Sequence, residues 1–264
     1  MLELLNGETR LYPIIGDPIR FVKSPRTLTG GLAARGRNAV CIPMEVSEAD
    51  LDVVVRGLAR TPNVDGILIT MPHKFKMFDY CASSSERAKA LGVVSVVRRN
   101  PDSTWHGDML DGLAFVKAQV DGGAQPNGAK ALLVGAGGAG SAIGIALLEA
   151  GVRELIVCDT DGDRTSKLLN ILSSLGRGRA IAGPPDPTGC NMVCNATPMG
   201  MAEGDPLPVA AHLLRSSMFV GDVIAGHGVT PLLSAARAAG CKTANGVQMV
   251  DAVQEIMLQF LLAN

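Results

Sequence analysis

The ten residues ALLVGAGGAG, 131–140, decide how this chain is read. Four apolar residues, Ala131 to Val134, run into a turn with glycines at Gly135, Gly137 and Gly140, and a helical pattern continues from there to Glu149. The next apolar run, Glu154 to Cys158, completes a strand–turn–helix–strand unit. Each glycine meets a separate demand: the first makes a tight turn, the second lets a pyrophosphate approach the backbone, the third packs helix on strand. The helix N-terminus then offers free N–H groups and the positive end of its dipole to the anion. The segment predicts a dinucleotide site at Gly135, Ala136, Gly137, Gly138, Ala139 and Gly140, against the alternative of a purely structural glycine turn. Asp159 stands 24 positions after Gly135, where a carboxylate accepts from a ribose 2′-hydroxyl and repels a 2′-phosphate. NAD is therefore expected over NADP; Arg164 is near, but only after two more acids, Asp161 and Asp163. Capping of the following helix is the other role open to Asp159.

Outward from this unit the pattern stays α/β. Strands are expected at Met192–Cys194 and Met218–Val223, and a last helix over Val247–Leu262 places Val250, Val253, Ile256, Met257 and Phe260 on one face. A turn-rich break, DGGAQPNGAK at 121–130, precedes the glycine unit. Before it, Leu11–Gly16, Ala39–Met44 and Asp65–Met71 read as strands, and Glu48–Arg60 as a helix. Ser24 and Pro25 suit the N-cap and first position of another helix, and Pro72 opens one more. Val93–Arg98 and Thr104–Gly107 pair as a hairpin across Asn100, Pro101 and Asp102.

With 264 residues, 47% of them hydrophobic, the chain has material for two cored domains. A net charge of −1 without a basic run argues against nucleic acid as a partner. No run of about 18 apolar residues is present to span a membrane, and the N-terminus lacks the basic start and apolar core of a signal peptide, so a cytoplasmic protein is expected. Cys41, Cys81, Cys158, Cys190, Cys194 and Cys241 form no C-x-x-C pair and read as reduced, mostly buried thiols. His73, His106, His212 and His227 lack ligand spacing, so no metal is expected and surface or capping roles are assigned to them.

Lys74 follows the apolar strand and Pro72, which puts it in the first turn of a helix at the carboxyl end of a strand, where ligands gather in α/β sheets. A helix N-terminus disfavours an ammonium, which suits an acid/base group; a solvated surface lysine is the alternative. The wider set of segments bears on that choice. Gly16-Asp17-Pro18-Ile19, Lys23-Ser24-Pro25, Thr70-Met71-Pro72-His73-Lys74, Gly107-Asp108-Met109-Leu110-Asp111-Gly112, the glycine turn, Asn195-Ala196-Thr197-Pro198-Met199-Gly200-Met201 and Thr230-Pro231-Leu232-Leu233-Ser234 together resemble the shikimate/quinate dehydrogenase family, in that family's order and over essentially the whole chain.

The resemblance implies an N-terminal α/β substrate-binding domain over 1–110, completed by C-terminal helices at 246–264, and a Rossmann domain with a doubly wound parallel sheet over 111–245. It implies catalysis by Lys74 and Asp111, substrate contacts from Ser24, Thr70, Ser95 and Gln248, and cofactor contacts from Asn195, Thr197, Pro198 and Met199. Met199 and Met201 are expected to line the nicotinamide edge or simply to pack, and Asp222 to cap a turn. The departures from the family pattern concern the substrate. One serine of its His-Ser-x-Ser-Pro segment is Val22; the asparagine two before Thr70 is Leu68; that of Gly-Ala-Val-Asn is Ser95; the Asn-Thr before the catalytic aspartate is Met109-Leu110; a tyrosine is Ala225. The glutamine of the C-terminal helix aligns with Val253, with Gln248 or Gln254 one turn away. A compact, cyclic hydroxy compound less hydroxylated than shikimate is the expected substrate. The rivals are a true shikimate or quinate dehydrogenase with an unusual pocket and a non-catalytic dinucleotide-binding sensor. A homodimer is left open.

Overall fold

The computed structural model describes residues 5–202, 204–226 and 228–263. It divides into two compact units: one runs to Leu110 and is joined by the stretch from Gln254 onward, and the other spans Asp111–Val253.

The first unit contains β1 (Arg10–Gly16), α1 (Ser24–Ala33), β2 (Ala39–Glu45), α2 (Leu51–Ala59), β3 (Gly66–Ile69), α3 (Lys74–Phe78), β4 (Cys81–Ser84), α4 (Glu86–Leu91), β5 (Val96–Arg99) and β6 (Trp105–Asp108). Its six-stranded sheet has the order β2-β1-β3-β5-β6-β4. β1 runs parallel to both β2 and β3, while β5 pairs antiparallel with β3 and with β6 as the expected hairpin. All four residues of β3 are buried, as a continuous apolar run covered on both faces requires. The ends of β1 and β3 are level, with Ile15 opposite Ile69. A Cβ on Gly16 would overlap the Thr70 methyl group, so the glycine lets the two loops leave the sheet side by side.

The second unit contains α5 (Asp111–Asp121), β7 (Lys130–Val134), α6 (Gly138–Glu149), β8 (Glu154–Cys158), α7 (Gly162–Ser174), β9 (Arg179–Ala182), β10 (Met192–Asn195), β11 (Phe219–Asp222), α8 (Pro231–Ala238), β12 (Lys242–Ala244) and α9 (Gly246–Leu262), whose later turns belong to the first unit. Its sheet is parallel throughout, in the order β12-β11-β10-β7-β8-β9. The chain reverses its direction of winding between β7 and β10, the position where such sheets bind ligands beyond their carboxyl ends. α6 is buried on nearly every side, which its run of Ala, Ile, Leu and Gly allows. One apolar cluster joins Leu132, Val193 and Val220 of the sheet to Leu232, Leu233 and Ala236 of α8.

Several local expectations shift. Ser24 is the first residue of α1 and Lys23 occupies the cap, with no side-chain bond there. α2 begins only at Leu51, because Ser47 and Asp50 bond each other's side chains in the preceding turn. β3 is shorter than its apolar pattern, ending at Ile69 before Thr70, and α3 begins at Lys74 rather than at Pro72. The turn-rich 121–130 stretch lies inside the second unit, linking α5 to β7. Among the described residues no helix is long and apolar enough to cross a membrane.

Candidate functional site

In the second unit the glycine turn is built as its steric logic requires. Gly135 has φ +103°, a region closed to most side chains. A Cβ on Gly140 would overlap the carbonyl oxygen of Gly135, whereas one on Gly137 or Gly138 meets open space. Gly137 precedes the twelve-residue α6 and supplies no side-chain cap. The backbone thus leaves room and unsatisfied N–H groups together, which fits a dinucleotide pyrophosphate. Ala136 is buried and Ala139 exposed.

Asp159 binds this turn directly. Its carboxylate accepts from Ala136 N at 2.6 Å and from Asp161 N at 2.9 Å. Partial burial pushes its carboxyl up, but these two N–H donors and the nearby Arg164 outweigh that and hold it below the usual carboxylate range. The cap of α7 is Asp161, which accepts from the N–H groups of Asp163 and Arg164. Asp159 is therefore spared for the loop and for whatever lies against it.

At the end of β10 the Asn195 side chain is completely buried and faces inward to the loop that follows. It accepts from Thr197 N at 3.0 Å and from the Thr197 hydroxyl at 2.7 Å. Pro198 is exposed and Met199 half-buried. Asp222, at the end of the neighbouring β11, is 1% exposed and accepts three hydrogen bonds, from Asn195 Nδ2, Ile224 N and the Thr230 hydroxyl. Burial pushes its carboxyl up, opposed by those donors. Sequence reading places Asp222 at a strand end as a turn cap, and the bond from Ile224 N is of that kind; its pairing with Asn195 and Thr230 leaves no local signal.

In the first unit Thr70 follows β3, its N–H bonded to Ile15 O, and Lys74 opens the five-residue α3. His73 is not a surface residue: it is 1% exposed, and its Nε2 lies 2.7 Å from Val46 O, pinning the turn that carries Lys74. Ser24 is half-buried at the start of α1. Ser95 is buried, and its hydroxyl accepts from Leu110 N at 2.9 Å. The same segment is held by Asp108, which takes a bidentate ion pair from Arg87 and a bond from Ser85. Sequence reasoning missed Arg87, because an ion pair between residues 21 apart leaves no local signal. His106 stacks on Phe260 with its Nδ1 at 2.9 Å from Ser83 Oγ. His212 lies in a short 3-10 turn, and His227 is outside the described residues.

Asp111 opens α5 in the second unit, and a Cβ on Gly112 after it would overlap the carbonyl of Ala142, so α5 and α6 touch backbone to backbone there. Gln248 is exposed and closes a reciprocal cap on α9: its Oε1 accepts from Asn245 N, and Asn245 Oδ1 accepts from Gln248 N, both at 3.0 Å.

Comparison with known proteins agrees with this arrangement. The shikimate dehydrogenase substrate binding domain family matches residues 14–97. The chain is 36% identical over 252 residues to the shikimate dehydrogenase (NADP(+)) of Rubrobacter xylanophilus, covering 93% of this chain and 88% of that one. The shikimate 5-dehydrogenase of Listeria monocytogenes, solved with shikimate and NAD, superposes with a TM-score of 0.90 at 28% identity, over 98% of this chain and 94% of that one. The quinate dehydrogenase of Corynebacterium glutamicum, solved with NAD, gives 0.85 at 28% identity, over 97% and 94%. A substrate-binding fold joined to a Rossmann fold, with these relatives, defines an oxidoreductase acting on CH–OH groups. The chain belongs to the shikimate/quinate dehydrogenase family.

Proposed function

We propose that this protein transfers hydride reversibly between a secondary alcohol of a compact, cyclic hydroxy compound, less hydroxylated than shikimate, and a nicotinamide dinucleotide, with NAD preferred. The observation that carries the substrate reading is the fate of the polar positions. Leu68 and Leu110 are each 1% exposed and Met109 5%, packed as core residues, and the Ser95 hydroxyl is engaged by Leu110 N. Each hydrogen bond withheld from a buried substrate hydroxyl costs about 1–3 kcal/mol, so several together lower shikimate affinity by orders of magnitude.

Lys74 and Asp111 form the catalytic pair in this reading. Oxidation of an alcohol needs the hydroxyl proton removed as hydride leaves the carbon, and the bound nicotinamide ring supplies the hydride acceptor. Lys74 takes that proton from the hydroxyl as hydride leaves and returns it in the reverse direction, and Asp111 orients the reacting group for the transfer. Thr70 and Ser24 hold the remainder of the substrate. Gly135, Ala136, Gly137, Gly138, Ala139 and Gly140 cradle the pyrophosphate, while Thr197, Pro198 and Met199 flank the nicotinamide. Asp159 favours NAD because a carboxylate below its usual range is fully charged at neutral pH and opposes a 2′-phosphate.

Initial rates of the purified protein with NAD and with NADP, against shikimate, quinate and less hydroxylated cyclic acids, test the reading. Activity confined to the simpler compounds is expected. Shikimate turnover with an ordinary KM overturns the substrate reading and favours the activity for which the Rubrobacter relative is named. Lys74→Ala is expected to lower kcat by about 10²–10⁴-fold while NAD binding persists; a sensor has no turnover to lose.

A further inference from the structure

Asn195 and Asp222 are the last residues of adjacent parallel strands and stand opposite each other in register, with Val134, the residue before the glycine turn, on the other side of Asn195. Both side chains are buried, as is Thr230. Their hydrogen bonds run in one direction. An ionised carboxylate only accepts, so Asp222 Oδ1 obliges Asn195 to present Nδ2, at 3.1 Å. The Asn195 carbonyl oxygen then faces the next loop, where it accepts from the Thr197 N–H and hydroxyl. Because the Thr197 hydroxyl is spent as a donor there, its oxygen accepts from Met199 N at 3.1 Å. On the far side, Asp222 Oδ2 takes the Thr230 hydroxyl at 2.6 Å, and Ile224 N donates to Oδ1 at 3.1 Å. The carboxylate stands at one end of a chain of bonds of a single polarity reaching Met199, and Asn195 Nδ2 also donates to the carbonyls of Thr197 and Met199 at 3.4 Å.

We propose that Asp222 is a positioning residue for the dinucleotide: through Asn195 and Thr197 it sets the conformation of the Ala196–Met201 loop against the nicotinamide. This rests on the reading of Thr197, Pro198 and Met199 as nicotinamide contacts. The carboxylate earns its burial by direction as well as by number of bonds: a residue that offered a donor to Asn195 would turn its amide over and set two N–H groups, its own and that of Thr197, against each other.

The test compares Asp222→Ala with Asp222→Asn. The asparagine keeps an acceptor toward Asn195 and Ile224 and turns its NH₂ toward the Thr230 oxygen, so the direction of the chain survives. Amide hydrogen exchange in the protein without nucleotide is read first. Asp222→Ala is expected to speed exchange at Thr197 and Met199 about tenfold or more, with β7 amides unchanged and Asp222→Asn within about threefold of the parent. Titration with NAD is read second, and Asp222→Ala is expected to weaken binding about tenfold while KM for the alcohol stays the same. Unaltered exchange at Thr197 and Met199 overturns the proposal. So does faster exchange with unaltered NAD affinity, which makes the network merely structural, or an Asp222→Asn variant as impaired as the alanine. If Asp222→Ala does not fold, Thr230→Val against Thr230→Ser asks the same question from the other end, with valine expected to loosen the loop and serine to preserve it. A parent protein that binds no dinucleotide refutes the function proposed above, and the exchange measurement still decides whether Asp222 orders the loop.

Discussion

Gly137 and Gly140 lie in one turn and carry different burdens. Gly140 is required by packing against the Gly135 carbonyl, while Gly137, with φ −72°, has open space where a Cβ would stand. Gly140→Ala is therefore expected to destabilise the protein by about 1–3 kcal/mol or more. Gly137→Ala is expected to stay within about 0.5 kcal/mol while weakening NAD binding. Thermal melts and a nucleotide titration separate the two, and equal loss of stability in both variants contradicts the assignment. The buried thiols set a pH dependence of the same local kind. Burial pushes Cys41 and Cys194 up to about 12. The fold thus prefers the neutral thiols; their contribution is fully present below the ordinary thiol range and is lost as pH rises toward 12. Stability measured in denaturant is expected to fall over that alkaline window, less steeply in Cys41→Ala after allowance for its packing loss.

Helices and strands were legible where side-chain periodicity is strong. β1, β2 and β8 fall within a residue or so of the apolar runs that announced them, and α6 follows its glycine turn. β4 and α4 were not, since Cys81–Ser84 has no apolar alternation and α4 spans six residues. At this scale the reciprocal cap of α9 gives a sharp expectation: Gln248→Ala costs about 0.5–2 kcal/mol and leaves KM for the alcohol unchanged. A large rise in KM with unchanged stability returns Gln248 to the substrate. The Arg87–Asp108 pair anchors the segment before α5, with side-chain exposures of 21% and 7%. Removing one partner of so buried a pair costs about 3–5 kcal/mol, so Arg87→Ala is expected to be among the more damaging single changes in the first unit.

At the scale of the molecule, a ligand that binds only the native state stabilises it by about 2.7 kcal/mol at a hundredfold excess over Kd. NAD is expected to raise the melting temperature more than NADP at equal concentration, and to increase amide protection in 135–140 and 195–201. Equal shifts from the two nucleotides contradict the role given to Asp159. The α/β class, the glycine turn and the order of the family's segments were determined by sequence alone, because periodicity and the stereochemistry of glycine act between near neighbours. Which polar side chains are spent inside the fold was decided only by tertiary structure. Ser95 meets Leu110 across 15 residues, His73 meets Val46 across 27, and Asn195 meets Asp222 across 27. Each pairing depends on which strands lie side by side, and a hydrogen bond between distant segments leaves no periodic trace in either of them.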